Sequence, residues 1–205
     1  SLRLLSYNPL RSFLPNRPRC LRESHLMPPL FALGNTDLTD ILQKNRFYID
    51  KTQFLADWWH IGSLVTLITR PRRFGKTLMI NTVEQFFSLR FSNQPSVFKF
   101  LDVWRDTSLR ESAGKYPVVS LSFANIKGRD FESSRRLILR ALMELGDKFP
   151  CLKDSNRLAE DELQFFRAFS TEVSDDIAQY YLYNLTKALY KHYGTRAIIL
   201  IDEYD

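Results

Sequence analysis

The feature that most constrains this chain is the string Thr69-Arg70-Pro71-Arg72-Arg73-Phe74-Gly75-Lys76-Thr77-Leu78, set between an apolar run and an amphipathic helical stripe. Residues 63–69, with Leu64, Val65, Leu67 and Ile68, read as a buried strand. Residues 76–89 read as a helix with Met79, Val83, Phe86 and Phe87 on one stripe. A Gly-Lys-Thr between a strand and a helix is the context of a phosphate-binding loop. The physics is local. The first N–H groups of a helix lack intrahelical partners and point at an anion, and the helix dipole favours negative charge there. Gly75 lets the backbone approach closely, Lys76 reaches terminal phosphates, and the Thr77 hydroxyl is a ligand for Mg²⁺. Arg70, Arg72, Arg73 and Lys76 place four cations against the positive end of the dipole, which an anion would relieve.

A second motif closes the chain. Ile198-Ile199-Leu200-Ile201 is followed by Asp202-Glu203. The continuous apolar run over 197–201 reads as a strand of a parallel sheet, buried on both faces. It carries Asp202 to the carboxyl edge, where ligands of open α/β sheets bind. Asp202 in that position holds Mg²⁺, and Glu203 orients or deprotonates the attacking water.

Between the motifs, residues 117–124 read as another strand and residues 130–149 as an amphipathic helix bearing Leu137, Ile138, Ala141, Leu142 and Leu145. Further helices are expected over 159–169 and 174–193, the latter stopped by Gly194. Ahead of the loop, Thr36 is expected to cap a helix running into Ile41 and Leu42. Asp50 is expected to cap another, through Phe54, Leu55, Trp58 and Trp59 to Gly62. Strands alternating with helices predict an α/β domain with a parallel sheet.

Together, Tyr48-Ile49-Asp50-Lys51-Thr52, the Arg-Pro-Arg-Arg-Phe-Gly-Lys-Thr string and Leu200-Ile201-Asp202-Glu203-Tyr204-Asp205 resemble the AAA-ATPase-like family. Its members often carry a PD-(D/E)XK nuclease-like domain after the ATPase part. Arg70 stands where the usual pattern has its first glycine, a replacement typical of that family. The resemblance spans about residues 28–205. It implies a P-loop NTPase fold, a parallel sheet flanked by helices and truncated after the Walker B strand. It implies ATP and Mg²⁺ as cofactors and ATP hydrolysis as the activity. Cofactor-binding positions are Arg72, Arg73, Phe74, Gly75, Lys76, Thr77 and Leu78; metal positions are Thr77 and Asp202; the catalytic carboxylate is Glu203. In ATPases with an added glutamate, the strand after the Asp-Glu motif inserts between the two motif strands, so this polypeptide alone is expected to be unstable or to aggregate. The Tyr48–Thr52 string is expected to be structural.

Two other readings stay open: a nucleotide-binding switch that does not hydrolyse, and a nucleic-acid-binding module using the basic loop. Charge does not favour the latter. Of the formal net charge of +6, most sits in the first 30 residues, where Arg3, Arg11, Arg17, Arg19 and Arg22 face only Glu23. Residues 1–30 read as a disordered basic leader broken by Pro9, Pro15 and Pro18, which leaves organelle targeting open, and residues 31–205 as a partial ATPase domain. Homo-oligomerisation, and nucleic acid bound through a C-terminal domain beyond this chain, are further partners the resemblance leaves open. No apolar run approaches the roughly 20 residues that span a bilayer, so no membrane partner and a cytoplasmic location are expected. Cys20 and Cys151 make no metal or redox spacing, and His25, His60 and His192 read as surface or helix-end residues. The tyrosines at 180, 181, 183, 190 and 193 are expected to pack against the sheet.

Overall fold

The computed structural model describes residues 34–69, 71 and 74–204. The leader, Cys20, His25, Arg70, Arg72, Arg73 and Asp205 lie outside the described residues. The chain divides into two compact units, one of residues up to Phe86 with Asn93–Ala113, the other of Phe87–Ser92 with the chain from Gly114 onward.

In the first unit, α1 (Leu38–Gln43) is capped by Asp37 rather than Thr36, because the Asp37 carboxylate reaches Asp40 N at 3.0 Å. It is pinned to α3 (Lys76–Phe87). Gln85 Oε1 accepts from Thr39 N and Thr39 Oγ1, Gln85 Nε2 donates to Asp37 Oδ1, and Asn81 Nδ2 donates to the Thr36 carbonyl. Helix α2 (Gln53–Ile61) buries Phe54, Leu55 and Ala56 and ends at Gly62, whose φ of +62° makes the left-handed cap expected of it. 3₁₀ turns at Leu89–Phe91 and Pro95–Phe98 follow α3, and another at Asp102–Arg105 packs on α2 before the short α4 (Thr107–Arg110).

The expected strand over 63–69 is not formed. The segment is irregular, and Leu64 is 96% exposed with Val65 and Leu67 also exposed. An extended segment becomes a strand only through a ladder with a neighbour, and among the described residues the only sheet lies in the other unit.

That unit is built on β1 (Val118–Ser122) and β2 (Ile198–Asp202), which pair in parallel with Val118 opposite Ile198 and Ser122 opposite Asp202. A crossover of helices joins them, as parallel pairing demands. Helix α5 (Phe131–Asp147) lies on β1 and is started by a reciprocal cap: Asp130 Oδ1 accepts from Ser133 N while Ser133 Oγ accepts from Asp130 N. The buried stripe of α5 is Leu139, Leu142 and Leu145, so Leu137 and Ile138 stand at its margin rather than in the core. Helix α6 (Glu160–Ala168) brings Phe165 and Phe166 against Tyr181. The expected helix over 174–193 is two: α7 (Asp175–Ala178) and α8 (Tyr181–Tyr193), the second ended by Gly194 at φ +73°. Val119, Leu121, the α5 stripe, Leu185 and Leu189 share one core.

Two burial expectations fail here. Strand β2 is not covered on both faces, since Ile199 and Ile201 are exposed. Of the five tyrosines only Tyr181 is buried; Tyr180, Tyr183, Tyr190 and Tyr193 face outward. Burial, then the nearby Asp147 charge, pushes the Tyr181 hydroxyl up to about 12.

Candidate functional site

The two halves of the expected site fall in different units: Lys76 and Thr77 in the first, Asp202 and Glu203 in the second.

In the first, Gly75 has φ +78°, a conformation that residues other than glycine rarely adopt, and among the described residues nothing lies within 4 Å of where a Cβ would stand. Lys76 is the first residue of α3. The helical ladder begins with Met79 N donating to the Gly75 carbonyl at 2.9 Å. The N–H groups of Lys76, Thr77 and Leu78 therefore precede that first bond and are the orphan donors every helix start presents. Phe74 is exposed, and its N–H closes a turn onto the Pro71 carbonyl at 3.4 Å. Leu78, half-buried, accepts from Thr82 Oγ1. Arg72 and Arg73 are the expected site residues that lie outside the described ones. The arrangement is a left-handed glycine leading into a twelve-residue helix whose opening residues are a lysine and a threonine.

In the second, Asp202 ends β2 and is 7% exposed. The ladder holds its backbone, with Phe123 N donating to the Asp202 carbonyl at 3.0 Å. One carboxylate oxygen, Oδ1, accepts from Glu203 N at 3.1 Å; among the described residues the other makes no hydrogen bond or ion pair. Glu203 itself is exposed and has φ +54°. A left-handed non-glycine residue is uncommon, and such backbones concentrate where function sets the geometry. It turns the chain sharply at the sheet edge, immediately after the buried acid.

The Tyr48–Thr52 string resolves into a clamp. Thr52 is fully buried. Asp50 Oδ1 accepts from both Thr52 N (2.8 Å) and Thr52 Oγ1 (2.7 Å), and Asp50 Oδ2 accepts from Asp102 N (2.7 Å). Thr52 Oγ1 in turn accepts from Val103 N at 3.0 Å. Two side chains thus dock the turn ahead of α2 onto the 3₁₀ turn at Asp102–Arg105; neither caps α2, because Thr52 rather than Asp50 holds the N-cap position and its hydroxyl is taken up by Asp50 and Val103 N. The structural role expected for the string holds, with Asp50 acting through its side chain and Thr52 as the residue that precedes the helix. Burial holds the Tyr48 hydroxyl well above its ordinary range, with the Asp50 charge adding to the effect.

The two described histidines lie at helix ends, as expected. His60 Nε2 meets Asp106 Oδ2 at 2.6 Å in the last turn of α2, and His192 Nδ1 meets Ser155 Oγ at 2.8 Å near the end of α8. Among the described residues no helix is long and apolar enough to cross a membrane.

A family model described as Predicted AAA-ATPase matches residues 32–205. A protein of Azotobacter chroococcum mcd 1, described as an uncharacterized protein in the vnfD 5′ region, is 29% identical over 164 residues, which is 78% of this chain and 25% of that protein. The chain therefore spans about a quarter of the length of that curated relative. No solved structure matches.

Proposed function

The chain belongs to the predicted AAA-ATPase family, and from that premise we propose that the protein binds ATP with Mg²⁺ and hydrolyses it. The observation that carries the reading is the left-handed Gly75 feeding directly into a helix that opens with Lys76 and Thr77. The fit is chemical. The N–H groups of Lys76, Thr77 and Leu78 precede the first helical bond, and the space beside Gly75 is open. Anions bind at such helix starts. At the other motif, Asp202 offers a carboxylate oxygen with no protein partner among the described residues. Mg²⁺ is typically held by one or two carboxylates, substrate phosphates and retained waters.

ATP supplies the phosphoanhydride bond that is broken. The Lys76 ammonium neutralises charge on the terminal phosphate oxygens. Thr77 Oγ1 and one Asp202 carboxylate oxygen would hold the metal, which would supply positive charge against the phosphates. Phe74, Gly75 and Leu78 would line the phosphates, and by their place in the motif Arg72 and Arg73 are the further cations proposed to bind them. Glu203 Oε accepts the proton of the attacking water. Both halves are assigned to one nucleotide by the order of the motifs along the chain.

The test is Mg²⁺-dependent ATP hydrolysis by the complete protein beside Lys76→Ala and Glu203→Gln. Removal of a general base costs about 10²–10⁴ in rate. The expected result is hydrolysis lost in both variants, with ATP binding kept only by Glu203→Gln. Unchanged hydrolysis in Glu203→Gln refutes the role of that residue. Binding without any hydrolysis in the wild type identifies a non-hydrolysing switch.

A further inference from the structure

Away from both motifs, the second unit carries a concavity of about 440 Å³ whose charged lining is almost all of one sign: Lys127, Arg129, Arg136 and Arg140 against the single acid Asp130. All four cations are exposed, and among the described residues their side chains make no hydrogen bond or close ion pair. The contrast with their neighbour is informative. Arg135, on the same helix, is spent on structure: its Nε pairs with Asp175 at 2.7 Å and its Nη2 donates to the Val173 carbonyl. Of the others, only Arg136 acts on an acid of the patch, adding, after the Ser133 hydrogen bonds, to what holds the Asp130 carboxyl below its ordinary range.

The placement is held from two sides. Arg136 and Arg140 sit four residues apart on α5, on one helix face and about 6 Å apart along the axis. Like charges at that spacing repel, so the pair costs helix stability unless an anion lies across it. Lys127 and Arg129 are fixed by the glycine between them. A Cβ on Gly128 would stand 2.3 Å from Ser134 N and 2.4 Å from Ser134 Oγ, so the loop backbone lies directly on the first turn of α5. The helix start is not itself the attraction, because the Asp130 carboxylate already takes the Ser133 N–H and both serine hydroxyls donate to the Asp130 carbonyl. The charge is that of the four long side chains. From Asp130 to Arg140 the patch runs about 15 Å at the helical rise, longer than one phosphate group. No aromatic side chain lines it, so base stacking is not its means of holding a partner.

We infer that this concavity is a contact surface for the phosphodiester backbone of a nucleic acid, bound without regard to base sequence through Lys127, Arg129, Arg136 and Arg140. Guanidinium forks match phosphate oxygens in pairs, and contacts of this kind position a strand without reading it. The inference does not rest on the ATP reading, and it places the contact elsewhere than the basic loop before Lys76.

The experiment is anisotropy of a fluorescein-labelled 30-nucleotide DNA, single-stranded and duplex, with the complete protein at 50–200 mM KCl. R136E/R140E and the milder R136Q/R140Q are compared with K99E, an exposed lysine of the first unit, after circular dichroism confirms that each is folded. Each phosphate neutralised contributes about 0.9 to the slope of log affinity against log salt. The expected result is a tenfold or greater loss for R136E/R140E at 50 mM KCl, with the slope shallower by about 1.8. A smaller loss is expected for R136Q/R140Q, and none for K99E. Equal binding by wild type and R136E/R140E, or no binding by wild type at 50 mM KCl, overturns it. So does tighter patch-dependent binding to phosphatidylserine vesicles than to either DNA.

Discussion

Replacing Thr52 by valine tests the clamp that joins the start of α2 to the turn at Asp102–Arg105. The substitution keeps the β-branched shape in a fully buried position and removes only Oγ1. Two bonds go with it: the hydroxyl's donation to Asp50 at 2.7 Å and its acceptance from Val103 N at 3.0 Å. A hydrogen bond to a charged group contributes about 1.5–3 kcal/mol, and a buried N–H left without a partner costs about 1–3 kcal/mol. The two losses share one site and do not add fully, so about 3 kcal/mol is the expected total. At 1.4 kcal/mol per tenfold, that is roughly a hundredfold increase in the open population of this region. Hydrogen exchange of the complete protein, read by mass spectrometry on peptides covering residues 98–106, measures it without assuming two-state unfolding. The amides of Asp102 and Val103 should exchange about a hundredfold faster in Thr52→Val. In Thr52→Ser, which keeps the hydroxyl, the change should be tenfold or less. Equal protection in wild type and Thr52→Val would refute the argument, because it would mean that packing and the Asp50–Asp102 bond hold the 3₁₀ turn without the Thr52 hydroxyl.

Two further outcomes follow from the geometry. Among the described residues Gly75→Ala meets no steric neighbour, so its cost is that of the left-handed backbone, about 1 kcal/mol, yet it adds a methyl beside the helix start; ATP affinity measured by calorimetry should fall well beyond the stability change, and unaltered affinity would count against the loop. Asp106 caps α4 and is held well below the usual carboxylate range, first by the Ser108 hydroxyl, then by His60 and the Leu109 N–H. A carboxyl depressed in the folded state contributes stability above its unfolded value near 4 and loses it as pH falls toward the folded one. Asp106→Ala should therefore lower thermal stability by about 1 kcal/mol at pH 7, and the gap from wild type should narrow steadily as pH falls below about 4; a gap of the same size at pH 4 and pH 2 would contradict the assignment.

What was legible in the sequence is what local chemistry decides. Helices α2, α3 and α5 follow from 3.6-residue stripes, Gly62 and Gly194 from the left-handed backbone their positions need, and the β1–β2 pairing from two apolar runs separated by helices. What was not legible depends on distant partners. Residues 63–69 have every local property of a strand but no ladder partner among the described residues of their own unit. Ile199 and Ile201 are apolar yet uncovered, because burial of a second face depends on which element packs there. The 3₁₀ turns between α3 and β1 carry no periodicity to detect. The clamp of Asp50 and Thr52 on Asp102 and Val103 spans about fifty residues of sequence, beyond any local signal. Of the site, the glycine, lysine, threonine and paired acids were readable as a motif, while the left-handed turn at Glu203 was not.

Strand β2 presents its residues alternately, Ile198, Leu200 and Asp202 inward and Ile199 and Ile201 outward. Because all four residues before the acid are large aliphatics, a slip of one position along β1 would exchange one apolar set for another at little hydrophobic cost. The consequence falls on the acids. After such a slip Glu203 would be the buried carboxylate and Asp202 the exposed one, a change of one methylene in length at the point where the proposed function places a metal ligand. Which acid faces inward is thus settled at the ends of the ladder, where Ile198 N reaches the Pro117 carbonyl at 3.0 Å and Phe123 N reaches that of Asp202. A proline four residues upstream of Leu121 therefore helps choose between two neighbouring side chains at the far end of the opposite strand.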